Sequence, residues 1–318
     1  MSFYINKSGL FTTIQDLGRI GYRKYGVPKS GAMDEWACGL ANIMLHNSTD
    51  CPCLEITLMG PVIDVLAPTQ ICVCGGNLSP KINLTPIENG KPYLVKKGDS
   101  ISFGRVISGC RAYLAVKGGF TLSPILNSYS TYVPSAFGGL HGKPIQNGDT
   151  LPFTPIDEEL FKRKISPALF KYLEADSIRI LRGRHFDDFT KCSQNAFLST
   201  PYQLSAKANR MGYRLNGEPV LTQMKKHYPT EGVTIGTIQV PPNGNPIILL
   251  SDAQTTGGYP KIAHVITGDL RILAQKKRRD TISFQEVTLE EALRIYQQLE
   301  RIKRQIEAVM NINKGGLS

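Results

Sequence analysis

The chain has 318 residues, which at about 150 residues per domain is enough for roughly two domains. Hydrophobic residues make up 41% and charged residues 20%, an ordinary balance for a folded protein that excludes a disordered chain, a fibre and a small disulfide scaffold. The formal net charge is +11. No run approaches the ~18 apolar residues of a membrane helix, and the first residues lack the apolar stretch of a secretory signal, so we expect neither a membrane anchor nor export.

Helical patterns occur at three places. Residues 34–45 open with an acidic cap, residues 157–174 begin with an acidic turn, and Thr288 followed by Glu291 forms a capping box at the start of 288–309. Apolar residues recur at three- and four-residue steps only in the last of these, which predicts an amphipathic C-terminal helix. Residues 313–318 should fray.

Short apolar runs bounded by Gly, Pro or Asn predict strands through the rest of the chain. They lie at 62–66, 70–74, 93–95, 101–103, 112–116, 178–181, 235–240, 247–250 and 282–287. Because these runs do not alternate regularly with helices, the sequence favours a mostly antiparallel β protein, a barrel or a sandwich, over a βαβ fold. The charged, proline-containing segment 154–175 predicts a boundary between two halves.

A short pattern recurs across this boundary. Residues 99–103 read D-S-I-S-F, residues 280–284 read D-T-I-S-F, and residues 148–153 read G-D-T-L-P-F. Two related barrels in tandem would produce this repeat, and so would the general similarity of strands that follow an aspartate turn. The sequence alone leaves both explanations open.

The seven cysteines indicate reduced thiols rather than a disulfide framework. The number of cysteines is odd and we expect no export signal, so we expect a protein of the cytoplasm, where thiols stay reduced. The pairs Cys51/Cys53 and Cys72/Cys74 have one intervening residue, whereas zinc sites use two to four. We therefore predict buried core thiols and no metal site.

The positive charge falls in local groups, at 162–164, at 276–279 and in the last helix. No RNP-like aromatic string, helix-turn-helix pattern or zinc finger accompanies them, which disfavours nucleic acid as a partner. A solvated basic face is the simplest interpretation. Binding of a polyanion, or docking to an acidic partner subunit, is the alternative.

Common catalytic motifs are absent. The sequence contains no P-loop, so no nucleotide-binding motif is recognised, and no G-x-G-x-x-G, H-E-x-x-H or G-x-S-x-G. The five histidines are scattered without ligand spacing, and we expect each to be a surface or satisfied residue. A triad assembled from distant residues remains an alternative, because such triads depend on geometry and not on order.

Two segments are too polar and too rich in glycine to be only core. One segment spans residues 12–42 and the other spans residues 239–263. In the second segment an apolar strand is followed directly by residues that carry a carboxylate, an amide, hydroxyls and an ammonium, with two glycines among them. Glycine allows close approach of the backbone to a ligand, and such side chains could bind a carboxylate or amide and stabilise charge on a carbonyl oxygen. An ordinary polar hairpin would show a similar composition, so both interpretations stay open.

These segments carry motifs that resemble a known family. They read T-T-I-Q-D-L-G-R at 12–19, G-V-P-K-S-G-A-M-D at 26–34, L-E-I-T-L-M-G-P at 54–61, N-R-M-G-Y-R-L at 209–215, E-G-V-T-I-G-T-I-Q-V-P-P-N-G at 231–244 and Q-T-T-G-G-Y-P-K-I-A at 254–263. Over about residues 9–288 the sequence is similar to the allophanate hydrolase subunit 2 family, also called biotin-dependent carboxyltransferase or the C subunit of 5-oxoprolinase. The resemblance implies two cyclophilin-like β-barrels in tandem, at 1–156 and 175–288, followed by a C-terminal amphipathic helix and tail at 289–318.

The resemblance also implies one of three activities. The leading hypothesis is a cytoplasmic subunit of an ATP-dependent 5-oxoprolinase that opens 5-oxo-L-proline to L-glutamate with 5-oxoprolinase subunits A and B, ATP being used through the complex. The alternatives are a carboxyltransferase subunit of a biotin-dependent urea/allophanate-type enzyme, or a non-catalytic protein that binds a kinase-inhibitor partner.

Candidate site residues follow from the two segments and the resemblance. We expect Lys261 to neutralise an oxyanion or a carboxylate, Asp252 to act as orienting carboxylate or base, and a Lys261–Asp252 pair to form across the Gly257–Gly258 turn. Tyr259 completes the catalytic candidates, and a small amide or carboxylate substrate would be positioned by Gln254, Thr255 and Thr256, with Gln15, Arg19, Asp34, Asn42 and Arg210 as the opposite wall. Asp34 could instead only cap its helix, and Arg19 and Arg210 could be structural partners.

Three departures from the family pattern bear on the ligand. The chain has Arg278-Arg279 where the family usually has Pro-Gly, Asn77 after Gly75-Gly76 where it often has Asp, and Ala253 after Asp252 where it often has Arg. The change to alanine removes a charge beside the proposed pocket.

Overall fold

The computed structural model describes residues 1–156, 163–224 and 226–311. They form two compact units: the first takes residues 1–19, 30–156, 163–174 and 301–311, and the second takes 20–29, 175–224 and 226–300. These bounds differ from the contiguous domains expected from the sequence, because residues 20–29 group with the second unit and the last helix is divided at residue 300.

The first unit contains two antiparallel sheets around one core. Their strand orders are β11-β1-β4-β9-β6-β7 and β2-β3-β10-β5-β8. The strands are β1 Ser2–Lys7, β2 Phe11–Gln15, β3 Cys53–Thr57, β4 Val62–Val65, β5 Thr69–Asn77, β6 Lys81–Ile82, β7 Thr85–Pro86, β8 Pro92–Val95, β9 Ser100–Ser102, β10 Ser108–Val116 and β11 Thr150–Pro152. Helix α1 spans Glu35–Ile43. Inward-facing side chains of both sheets, such as Ile63 and Leu114, join in one hydrophobic cluster.

The second unit contains a closed seven-stranded barrel, in the order β12-β19-β16-β17-β14-β13-β20. Its strands are β12 Ser177–Arg182, β13 Tyr202–Leu204, β14 Gly212–Asn216, β16 Thr237–Gln239, β17 Ile247–Leu249, β19 Lys261–Val265 and β20 Thr281–Glu286, and β15 Glu231–Gly232 pairs separately with β18 Thr256–Gly257. The helices are α2 Lys191–Ser199, α3 Leu270–Ala274 and α4 Leu289–Asn311. The mostly-β prediction is confirmed, as are all nine predicted strands.

The two capped helices also form as predicted. Asp34 Oδ1 accepts the Ala37 N–H at 2.9 Å and caps α1. Thr288 and Glu291 exchange the two hydrogen bonds of a capping box at α4, at 2.8 and 3.2 Å. Helix α2 was not predicted, because it buries one large apolar side chain, Phe197, and so lacks an apolar stripe.

The predicted helix at 157–174 is only partly present. A 3-10 helix spans Pro167–Glu174, residues 163–166 are not helical, and residues 157–162 lie outside the described residues. The reason is Pro167, which lacks an N–H and clashes with the preceding turn in a helix interior but is favourable at a helix start. The predicted fraying of residues 313–318 also falls outside the described residues.

The sequence repeat corresponds to one recurring turn. In each copy the aspartate Oδ2 accepts the N–H three residues earlier, at 2.7 Å for Asp99 and Asp149 and 3.0 Å for Asp280. The residue before the aspartate has positive φ, 94° at Gly98 and 89° at Gly148, and the third copy places Arg279 at 72°. Strands β9, β11 and β20 each begin directly after this turn. The sequence repeat therefore corresponds to the same turn followed by a strand, and it occurs in both units.

The prediction of buried core thiols holds for five of the seven cysteines and is wrong for Cys192, which is exposed. All seven cysteines are free, five are buried, Cys51 is half-buried and Cys192 is exposed. Within the described ranges, no group of His, Cys, Asp and Glu side chains could hold a metal ion. No helix among the described residues is long and apolar enough to cross a membrane.

Candidate functional site

The first polar segment is fastened to the loop at 128–131 by Asp16. Its carboxylate accepts hydrogen bonds from Gly18 N at 2.7 Å, Ser128 Oγ at 2.7 Å, Tyr129 N at 2.6 Å and Ser130 Oγ. Such multiple donation to one buried carboxylate fixes the backbone where β2 ends. The turn of the T-T-I-Q-D-L-G-R motif is therefore a rigid element of the first unit.

Arg19 lies fully buried against this same loop. Its Nη2 donates to the Ser130 carbonyl, and the guanidinium stacks over the Phe137 ring with 4.5 Å to the centroid. Gly138 makes this approach possible, because a Cβ there would lie 2.0 Å from Ser130 O and 2.3 Å from Arg19 Nη2. At 0% exposure, Arg19 is placed as a packing and positioning residue of the first unit.

The other three candidates of the first unit are buried with defined partners. Asp34 caps α1, and its Oδ2 accepts the Tyr172 hydroxyl at 2.6 Å. Asn42 donates to Cys51 O at 2.8 Å, which ties α1 to the following loop. Gln15 donates to Thr131 O at 3.2 Å, while its buried Oε1 has no hydrogen-bond partner among the residues that the structure describes.

In the second unit, Lys261 anchors the glycine-rich loop that precedes it. Its ammonium lies 2.9 Å from Glu231 Oε1, 3.4 Å from Gly257 O and 3.3 Å from Tyr259 O. An ammonium has three donors, and here each has an acceptor. The expected Lys261–Asp252 pair is therefore wrong, because β15 lies beside β18 and brings Glu231 to the lysine.

Asp252 pairs instead with Arg210. The two contacts, Nε to Oδ2 at 2.8 Å and Nη2 to Oδ1 at 3.1 Å, form a bidentate ion pair with side chains only 7% and 4% exposed. This pair joins the N-R-M-G-Y-R-L motif to the end of β17. Removal of Arg210 would leave the buried Asp252 carboxylate without this counter-ion, which is strongly destabilising.

Neutral polar side chains occupy the loop between these two ion pairs. Gln254, Thr256 and Tyr259 are exposed and Thr255 is half-buried. None of the four side chains has a hydrogen-bond partner among the residues described, so their hydroxyl and amide groups remain available to a ligand. The charged side chains of Lys261 and Asp252 hold the loop in place through ion pairs, and the neutral side chains offer hydrogen bonds to a ligand. The sequence pattern had instead suggested chemical roles for these two charged residues.

Three residues of this cluster were not among the sequence candidates. Glu231 pairs with Lys261, and the hydrogen bond from Lys261 lowers the pKa of that carboxyl. His185 Nδ1 accepts the Lys261 backbone N–H at 3.1 Å, so its imidazole proton lies on Nε2. Gln239, which is 2% exposed, lies so close beneath Gly257 that a Cβ there would meet its Nε2 at 2.5 Å.

Burial lowers the pKa of His185, and the neighbouring Lys261 ammonium lowers it further. Both effects favour the neutral form of the imidazole. A signal for Glu231 existed in the sequence, since it opens the E-G-V-T-I-G motif. His185 stands outside every family motif and had no such signal.

The second-unit loop can bind and orient a small polar molecule through hydrogen bonds. Its lysine and its aspartate are both neutralised by ion pairs, and the described residues bring no activated nucleophile and base together around it. The chemistry that this arrangement supports is positioning and charge stabilisation, with the activating step supplied from elsewhere.

Comparison with known proteins agrees with the motifs. Residues 25–286 match the family described as the carboxyltransferase domain, subdomain A and B. The chain is 35% identical over 302 residues to the C subunit of 5-oxoprolinase from Escherichia coli strain K12, covering 95% of this chain and 96% of that one. It is 36% identical over 299 residues to the Haemophilus influenzae protein of the same name, covering 94% and 96%.

A solved structure is similar as well. The K. lactis urea amidolyase superposes with a TM-score of 0.90 at 28% sequence identity, covering 96% of this chain and 20% of that one. The likeness therefore concerns one portion of a much longer protein.

Proposed function

We propose that this chain, which belongs to the family described as the carboxyltransferase domain, subdomain A and B, is a subunit of a multi-subunit 5-oxoprolinase. Such an enzyme hydrolyses 5-oxo-L-proline to L-glutamate and consumes ATP. The observation that carries the proposal is the end-to-end likeness to two proteins, each named as the C subunit of 5-oxoprolinase. Both chains of each comparison are covered almost completely, so the likeness extends over the full length of these proteins.

The reaction adds water across an amide bond of a five-membered ring. The bond between the carbonyl carbon and nitrogen breaks, the carbon keeps the water oxygen, and the nitrogen leaves as an amine. Because a lactam carbonyl is unreactive, ATP would activate it by transferring its terminal phosphoryl group to the carbonyl oxygen, which releases ADP. Opening of the ring by the first water leaves this group on the new carboxyl as an acyl phosphate, and a second water cleaves it to the free carboxylate and phosphate. This chain carries no nucleotide motif, so we assign ATP binding to the complex.

The contribution of this chain is to position the substrate. Thr256 and Gln254 offer donors to its oxygens, and Tyr259 adds a hydroxyl at 45% exposure. Lys261 and Glu231 hold this loop in place, which makes them positioning residues in the proposal. The partners would be 5-oxoprolinase subunits A and B, and the seven free thiols support a cytoplasmic location.

The test is reconstitution. The chain is purified alone, with each partner subunit, and with both, and ATP hydrolysis dependent on 5-oxo-L-proline is measured. We expect no turnover by the chain alone and turnover by the full set. Robust turnover by the single chain would refute the proposal. So would a full set of subunits that neither hydrolyses ATP in response to 5-oxo-L-proline nor forms glutamate.

A second candidate is favoured by the likeness to the K. lactis urea amidolyase. In this alternative the chain accepts a carboxyl group from biotin on a carrier protein and passes it to a urea-like amide. Copurification with a biotinylated carrier, and avidin-sensitive carboxylation of urea, would distinguish it from the first proposal.

A further inference from the structure

The second unit contains a half-buried arginine, Arg23, to which the proposed function gives no role. It lies in segment 20–29, which groups with the second unit and contains three basic residues and no acidic one. Arg23 Nη2 donates to the carbonyl of Val233, and the N–H of Val233 donates to Thr255 O at 3.0 Å. Because only three bonds of about 1.2–1.5 Å join the N and O atoms of one residue, the guanidinium lies beside the polar loop 254–261.

Arg23 has no carboxylate partner among the residues that the structure describes. Arg179 in the same unit is also half-buried, but its guanidinium is paired with Asp269 at 2.5 Å. The hydrogen bond with Asp269 raises the pKa of Arg179, whereas burial lowers the pKa of Arg23. The fold therefore withdraws the Arg23 charge partly from water without a described anion to balance it, which is unfavourable until an anionic ligand binds.

The other charges around the loop also favour an anion. Glu231 is shared by two cations, Lys261 at 2.9 Å and Arg184 at 3.0 Å. The second ion pair, at the end of β17, is neutral. These groups already leave one positive charge in excess, and Arg23 adds another.

The remaining donors of Arg23 are accessible to a ligand. A guanidinium has five N–H donors, and the bond to Val233 uses one of them. Nε and Nη1 have no acceptor in the described part of the chain and are not among its buried polar atoms, so they reach solvent. A planar guanidinium binds a carboxylate through two parallel hydrogen bonds, and Gln254 and Thr255 on the adjoining loop offer neutral hydrogen bonds to an amide.

We propose that Arg23 determines the specificity of the loop 254–261, and that its guanidinium binds a carboxylate on the substrate. The residue selects small amides that carry a carboxylate over neutral amides of the same shape. The inference rests on the proposed function in one respect, that this loop holds the substrate. The substrate carboxylate keeps its charge while the lactam opens, so the contact stabilises the ground state and the transition state equally.

The first test measures binding to the full-length chain without partners. Calorimetry and ligand-observed NMR are run with 5-oxo-L-proline and with 2-pyrrolidinone, which has the same lactam ring without the carboxylate. We expect the wild-type chain to bind 5-oxo-L-proline about tenfold more tightly than 2-pyrrolidinone. In Arg23→Gln this preference should disappear, while binding of 2-pyrrolidinone stays within about twofold of wild type.

Two further variants separate the carboxylate contact from other effects. Lys24→Gln removes the neighbouring exposed charge and should bind both compounds as wild type does. Arg23→Lys keeps the charge without the planar fork, so binding of 5-oxo-L-proline should weaken about threefold, and this variant also serves if Arg23→Gln does not fold. In the reconstituted complex, Arg23→Gln should raise KM for 5-oxo-L-proline about tenfold with kcat within about twofold of wild type.

Equal weakening of both compounds by Arg23→Gln would show a structural role through Val233 and would overturn the inference. So would wild-type binding of 5-oxo-L-proline in this variant, or no binding of it to the wild-type chain at ~10 mM. If the complex turns over but Arg23→Gln leaves KM unchanged, the inference fails and the proposed function stands. If the preference for the carboxylate depends on Arg23 but no complex turns over, the proposed function fails and the inference stands.

Discussion

Replacing Lys261 by methionine separates the anchoring role of this lysine from a direct role in chemistry. The substitution keeps most of the buried stem and removes an ammonium whose three donors contact Glu231, Gly257 O and Tyr259 O. Two carbonyls of the loop then lose a charged donor, which costs about 2 kcal/mol. For a unit of this size that corresponds to a fall in melting temperature of roughly 4–8 °C.

The assay is thermal and urea unfolding of the full-length chain, beside Lys207→Met as a control that removes an exposed lysine of the same unit. We expect Lys261→Met alone to lose stability and the control to stay within roughly 1 °C of wild type. Glu231→Gln should weaken the same contact, and the double variant should lose less than the sum of the two single losses. Because the loop is disordered by the change, turnover of the reconstituted complex should fall by about 100-fold.

A Lys261→Met chain with wild-type stability would refute the anchoring role. If such a chain also lost turnover, the ammonium would act on the substrate directly, as the sequence motif suggested. If it kept both stability and turnover, neither role would hold.

Three further predictions concern stability and thiols. Arg279→Gly should stabilise the chain by about 0.5–1 kcal/mol in urea unfolding, since Arg279 holds φ of 72° where Gly98 takes the same place in the first copy of the turn; unchanged or lower stability would contradict this. Burial lowers the pKa of His185 and of His264, so the folded state binds fewer protons than the unfolded state below about pH 6.5. The free energy of unfolding should therefore decrease as the pH is lowered through this range, by at most about 1.4 kcal/mol per pH unit for each histidine. His185→Gln should make this pH dependence weaker, and a free energy of unfolding that increases as the pH is lowered would refute the assignment. Native alkylation followed by mass measurement should label Cys192 first and the five buried thiols only in denaturant, with no disulfide in the unreduced chain.

Local sequence signals predicted local structure well. The capping residues Asp34 and Thr288 each accept the expected backbone N–H, because a cap depends only on residues three positions apart. The short strands also formed where β-branched and apolar runs were bounded by turn residues. The helix at 157–174 was the exception: its acidic first turn suggested a start at residue 157, whereas the 3-10 helix begins at Pro167, the residue that interrupts the pattern.

Contacts between distant segments were not predictable in the same way. Lys261 and Glu231 are 30 positions apart and meet only because β15 pairs with β18. Proximity in the chain suggested Asp252 as the partner of Lys261, but Asp252 is held by Arg210 at 42 residues' separation. One sequence can indicate which residue types a site contains, whereas the pairing of charges depends on strand register.

The reconstituted complex tests the proposed function most directly. ATP hydrolysis dependent on 5-oxo-L-proline, with glutamate formed in equal amount, is measured for the two partner subunits with and without this chain. We expect that omission of this chain abolishes turnover and that its addition in equimolar amount restores it. Turnover that is the same without this chain, or that this chain sustains alone, would contradict the proposed function.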